Sequence, residues 1–102
     1  MQEPKDNLVI IWSCADPETA QYMAFMYAKN ALLKGWWKRV RLIVWGPSAR
    51  TLRNEADLQE LLPGLQQAGV ELMACKACAE SFGAGDALEY MGLDVRYMGQ
   101  DL

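Results

Sequence analysis

The chain has 102 residues, 52% apolar and 23% charged, the make-up of one globular domain, 1–102, rather than a disordered segment. Ten basic residues stand against thirteen acidic ones, which argues against a general nucleic-acid binder. The absence of histidine removes Ser–His and Cys–His catalysis and the common zinc-enzyme sites.

Residues 8–12 (LVIIW) form a short apolar run with the β-branching of a strand buried on both faces. Ser13-Cys14-Ala15 follows as a loop. Asp16 then reads as a helix N-cap with Pro17 at the first helical position. The helix runs to Leu33 or Lys34, and Gly35 stops it. Within it, residues 22–28 (YMAFMYA) are apolar or aromatic without a break, so the helix is apolar all round there. One face packs on the sheet. The other is expected in a homo-oligomer interface, through the helix that carries Tyr22, Phe25 and Met26.

Residues 40–45 (VRLIVW) read as the second strand, broken by Gly46-Pro47, with Ser48 able to cap the next helix. Residues 49–68 are helical, but Pro63 lacks the amide a helix interior needs, so a kink or two pieces are expected. Gly69 closes this region and residues 70–74 (VELMA) form the third strand. A turn or short helix reaches Phe82, a helix spans 86–91, and residues 93–98 form the fourth strand. Trp36-Trp37 are expected to pack at a helix end or interface. The basic residues Lys29, Lys34, Lys38, Arg39 and Arg41 read as a cation-dressed helix end and a solvated turn, or as a site for an acidic partner.

Strands alternating with helices imply a mainly parallel sheet of four to five strands in a three-layer α/β/α sandwich with right-handed crossovers. Ligands bind such sheets at the carboxyl ends of the strands. Cys14 lies just past the first strand, and Cys75 and Cys78 just past the third. With both strands central, all three thiols gather on one edge of the sheet.

Cys75-Lys76-Ala77-Cys78 admits several readings. Free amides at a strand-to-helix junction, with Lys76 beside them, favour a thiolate, hence a nucleophile or sulfur acceptor. A structural zinc site needs four ligands, and this pair supplies two, with Cys14 a possible third. A thioredoxin-like role fits poorly, because the pair comes late in the chain and is followed by Gly83 and Gly85. Packing of two small residues in a tight corner is the plainest alternative. The Gly83-Ala84-Gly85 turn fails as a dinucleotide fingerprint, so no cofactor is expected, though its amides could approach Cys75. Asp16 and Glu80 are available as acid or base, Asp16 more simply as a cap.

No apolar run approaches the ~20 residues of a membrane span, and the polar start MQEPKDN has no signal-peptide core. The expected setting is cytoplasmic, without membrane or nucleic-acid partners. An odd count of three cysteines fits reduced thiols.

An apolar first strand, a long helix opened by a proline, residues 44–48 (VWGPS), 65–71 (LQQAGVE), 74–79 (ACKACA) and 92–99 (GLDVRYMG) together resemble the small single-domain members of the DsrE/DsrF-like family, over almost the whole chain. The resemblance implies a flavodoxin-like fold and assembly as trimers or hexamers. Some members relay sulfur as a cysteine persulfide between donor and acceptor proteins. By its spacing to Gly83, Cys75 matches the family's sulfur-carrying cysteine, and Cys78 is an addition found in some members. The leading expectation is therefore a sulfurtransferase-like carrier working through Cys75 and Cys78, with Cys14, Lys76 and Gly83 in support. The alternative is a non-enzymatic oligomeric module that binds a metal or small anion through the same region.

Overall fold

Four strands make the sheet: β1 (Lys5–Trp12), β2 (Trp37–Val44), β3 (Glu71–Cys75) and β4 (Asp94–Arg96). They lie in chain order, and each neighbouring pair is parallel. The structure is a computed structural model that describes residues 3–100. Residues 1–2 and 101–102, the ends of the expected 1–102 domain, lie outside the described residues. The architecture is the α/β, flavodoxin-like one, with a parallel sheet whose ends differ slightly from the sequence reading. β1 begins at Lys5 and β4 is only three residues long.

Parallel strands that follow one another in space need crossovers, and right-handed crossovers in one direction place the helices on one face. The packing agrees. Trp12, Val40, Leu42, Val44, Leu72 and Ala74 of the strands share a core with Phe25, Ala28, Leu52, Leu58, Leu65 and Leu88 of the helices. The opposite face carries a smaller cluster of Ile43, Met73, Cys75 and Met98, with Trp45 and Cys78 packed against it. That cluster draws only Cys78 from a helix, so one helical layer is complete within the chain and the second face stays largely open. Val9 and Ile11 are exposed. Glu71 accepts from Arg39 and Arg41 at 2.9–3.0 Å, so these two cations of the basic stretch are satisfied within the chain.

The helical rod after β1 starts where expected. Asp16 accepts from the Thr19 amide at 3.1 Å and its hydroxyl at 2.6 Å, bonds that hold its carboxyl below the usual carboxylate value. The rod comprises α1 (Pro17–Thr19), a π-helical segment (Ala20–Phe25) and α2 (Met26–Leu33). The Met26 amide donates to Gln21 O, five residues back, the spacing of a π turn. That wider step keeps Ala20 and Phe25 on the same buried face. This corrects one expected interface residue. Phe25 is a core residue, edge-on to Trp12 with ring centroids 5.2 Å apart. Tyr22, Met23, Met26 and Tyr27 are the exposed ones. Trp37 donates through Nε1 to Tyr27 Oη at 3.2 Å, and Trp36 lies against the same ring, so the tryptophan pair packs at the helix end.

The region 49–68 is indeed two pieces, α3 (Ser48–Asn54) and α4 (Ala56–Ala68), but the break falls at Glu55, which is extended. Gln59 turns back and donates to the carbonyls of Leu52 and Arg53 at 3.0 and 2.8 Å, satisfying the end of α3. Pro63 sits inside α4 on its exposed side, where water can serve the carbonyl that loses its partner. Ser48 does not cap a helix. It is fully buried, accepts from the Trp45 amide at 3.0 Å and reaches the Trp12 carbonyl at 2.5 Å, tying the ends of β1 and β2 together.

Candidate functional site

Three chain segments meet at the carboxyl end of β3. The first is the turn from β3 into α5 (Lys76–Ser81), where Cys75 is both the last strand residue and the N-cap. The second is the loop after β2, containing Trp45 and Gly46. The third follows β4 and contains Met98. β3 lies between β2 and β4, so residues leaving those strands flank Cys75 on both sides. Met98 is fully buried and Trp45 packs on the same cluster.

Cys75 is 6% exposed. Burial alone pushes a thiol up, because the charged form loses water. Here that effect is outweighed by donors: the Cys78 amide, the Cys78 thiol, and the amides of Met98 and Ala77 hold Cys75 below its ordinary value. Cys75 forms no tight cap bond of the kind an oxygen makes. The amides act through the weaker contacts a sulfur accepts. Cys78 moves the other way. Burial raises it most, the Gly46 amide partly offsets this, and the hydrogen bond and charge of Cys75 raise it further. The pair is asymmetric: Cys75 is held toward its thiolate form, and Cys78, held toward its thiol form, donates to it. Both are free.

Gly46 has φ +67°, a left-handed conformation that side chains resist, and this turn carries its amide to Cys78. The Ala77 amide is one of the junction amides expected from the sequence, but nothing in a linear reading marked Gly46 or Met98 as site residues. The available signal was topological, since a parallel neighbour of β3 must release its next residues beside Cys75.

The other candidates fall elsewhere. Lys76 lies over the Tyr97 ring, its Nζ 5.4 Å from the centroid, and is not among the groups that shift Cys75. Gly83 (φ +63°) accepts the turn after α5, its amide donating to Glu80 O at 3.1 Å. Arg53 fixes the same turn by donating to Phe82 O at 3.0 Å. Glu80 is exposed. Cys14 is exposed in the loop after β1, its thiol making a long contact, 4.0 Å, to Asp16 O. Among the described residues no group of three or more Cys, Asp or Glu side chains is placed to hold a metal ion, so Cys14 does not complete a ligand set with the pair. No helix among them is long and apolar enough to cross a membrane.

Fold and site define an α/β protein with a paired thiol at the carboxyl edge of a parallel sheet. The chain belongs to the DsrE/DsrF-like family, whose profile matches residues 6–100. It is similar to a solved conserved protein of unknown function from Bacteroides thetaiotaomicron, with 35% identity, 94% of this chain and 83% of that one covered, and a TM-score of 0.90. Its fold is also that of the ychN protein from E. coli, at 16% identity and a TM-score of 0.58, with 92% and 97% of the two chains covered. No curated protein matches the chain significantly.

Proposed function

We propose that this protein is a cytoplasmic sulfur-relay protein whose Cys75 carries sulfane sulfur as a persulfide. The observation behind this reading is the thiol held toward its thiolate, though buried, by three amides and a neighbouring thiol. The Cys75 thiolate attacks the outer sulfur of a donor R–S–SH. The donor's S–S bond breaks, R–S⁻ leaves and takes up a proton, and the sulfur stays on Cys75. An acceptor thiolate then attacks that outer sulfur, and Cys75 departs as the thiolate its donors favour. A leaving thiol of lower pKa departs faster, so the same amides serve loading and release. Family membership supports the reading, because sulfur relay is what the resemblance implies for some members.

To test it, reduced protein is incubated with a low-molecular-weight persulfide and its tryptic peptides are weighed. One added sulfur on the peptide ending at Lys76, in the unaltered protein or in Cys78→Ser, lost in Cys75→Ser and kept in Cys14→Ser, is the expected result. Equal sulfur on every thiol, or none in either protein, overturns it.

The carrier is further proposed to work as a homo-oligomer, trimer or hexamer. The exposed Tyr22, Met23, Met26 and Tyr27 form an apolar helix face of the kind that marks an interface. Sedimentation equilibrium is expected to give three or six chains, reduced by Tyr22→Glu. A monomer at high concentration contradicts this part.

A further inference from the structure

The carrier reading gives Cys78 only a supporting role, as a hydrogen-bond donor to Cys75. We propose that Cys78 is a resolving thiol, which discharges the Cys75 persulfide as hydrogen sulfide and closes a Cys75–Cys78 disulfide. This gives the site a second activity, reductive release of sulfane sulfur, and it rests on the carrier reading.

Placement carries the inference. Cys75 is the N-cap of α5, which begins at Lys76, and Cys78 is therefore its third residue. These are the two positions whose groups face each other in a capping box. Cys78 packs against the small cluster that contains Cys75. The two thiols share a side-chain hydrogen bond, so their sulfurs already face each other at the start of a six-residue helix. Cys14 has no comparable placement. It lies in the loop after the edge strand β1.

The step balances. The Cys78 sulfur attacks the inner, Cys75 sulfur of the persulfide. The bond between that sulfur and the outer one breaks, and its electron pair leaves on the outer sulfur, which takes the Cys78 proton and departs as HS⁻. The two cysteine sulfurs are oxidised by two electrons and the sulfane sulfur is reduced to sulfide. The persulfide is the oxidant. A small dithiol reductant returns the pair to thiols for another cycle.

Loading also prepares the attack. In the empty site the charge on Cys75 is one of the influences that push the Cys78 thiol upward. In the persulfide the charge sits one atom further out, on the outer sulfur, so this influence weakens once sulfur is present.

The chain offers a direct readout. Trypsin cuts after Lys76, which separates Cys75 from Cys78, so the disulfide joins two tryptic peptides that are otherwise free. Protein is loaded without oxygen using a low-molecular-weight persulfide and desalted. Released sulfide and linked peptides are then followed in the unaltered protein, in Cys78→Ser and in Cys78→Ala. The expected result is about one sulfide per loaded Cys75 and the linked peptide pair in the unaltered protein, with both variants retaining their persulfide. If the unaltered protein holds its persulfide as long as the variants do, the resolving role is overturned and the carrier reading stands. If sulfur never appears on Cys75 in any of the three, both are overturned.

Discussion

Cys14 and Cys75 both stand at the carboxyl end of a parallel strand, Cys14 in the loop after β1 and Cys75 as the last residue of β3, yet their surroundings differ. β1 is an edge strand with one neighbour, whereas β3 lies between β2 and β4. The loop after β1 leaves Cys14 exposed. The turn after β3 is closed in by Gly46 from one side and Met98 from the other, and their amides reach Cys78 and Cys75. The carboxyl edge of a parallel sheet is therefore not uniformly a site. An interior strand brings donors from both neighbours, and an edge strand cannot.

That contrast can be broken by mutation. The largest expected effect is on chemistry: Cys75→Ser lowers sulfur loading to background, and Cys14→Ser leaves it unchanged, as measured by peptide mass. Next is Met98→Ala. Met98 is fully buried beside Cys75, and truncating a buried methionine costs about 2–5 kcal/mol. Urea denaturation should show that loss, and alkylation of Cys75 should speed up in the folded variant while that of Cys14 does not. Equal acceleration at both thiols would indicate general loosening instead.

Gly46→Ala should cost about 1–2 kcal/mol for a side chain in a left-handed conformation. The nearest obstacle, Ser13 O, is 4.0 Å away, so the cost is one of backbone strain rather than collision, and thermal melts should show it. The smallest effect is expected at the far end of the open face. Glu71 is held below the usual carboxylate range, first by its bonds to Arg39, but its side chain is 40% exposed. Glu71→Gln should cost under about 1 kcal/mol, and the difference should shrink in high salt. A lowered carboxyl contributes stability above its unfolded pKa and loses it as pH falls through the folded one. The Glu71→Gln difference should therefore vanish on acidification.

Strands, caps and the position of the cysteine pair were legible because each rests on short-range chemistry. A run such as LVIIW, Asp16 before Pro17, or a glycine after a helix needs only its neighbours in sequence. What was not legible depends on distant partners. The break at Glu55 is stabilised by Gln59 reaching back to α3. The buried role of Ser48 depends on Trp12, 36 residues away. The π-helical step became apparent only once Phe25 had Trp12 to pack against. At the site, Lys76 was the cation nearest in sequence, but the groups that shift Cys75 are Cys78, Met98 and Ala77, and strand order is what brings Met98 there.

The most direct test follows the pH dependence of alkylation at Cys75 and Cys78 separately, using a small reagent and peptide mass. A thiol held below its ordinary pKa becomes thiolate, and reaches its maximal rate, at lower pH, and one held above it does so at higher pH. Cys75 is therefore expected to reach its plateau first as pH rises, with its midpoint moving upward in Cys78→Ala, where the donating thiol is gone. Coincident midpoints, or Cys78 leading, would contradict the assignment of Cys75 as the activated sulfur.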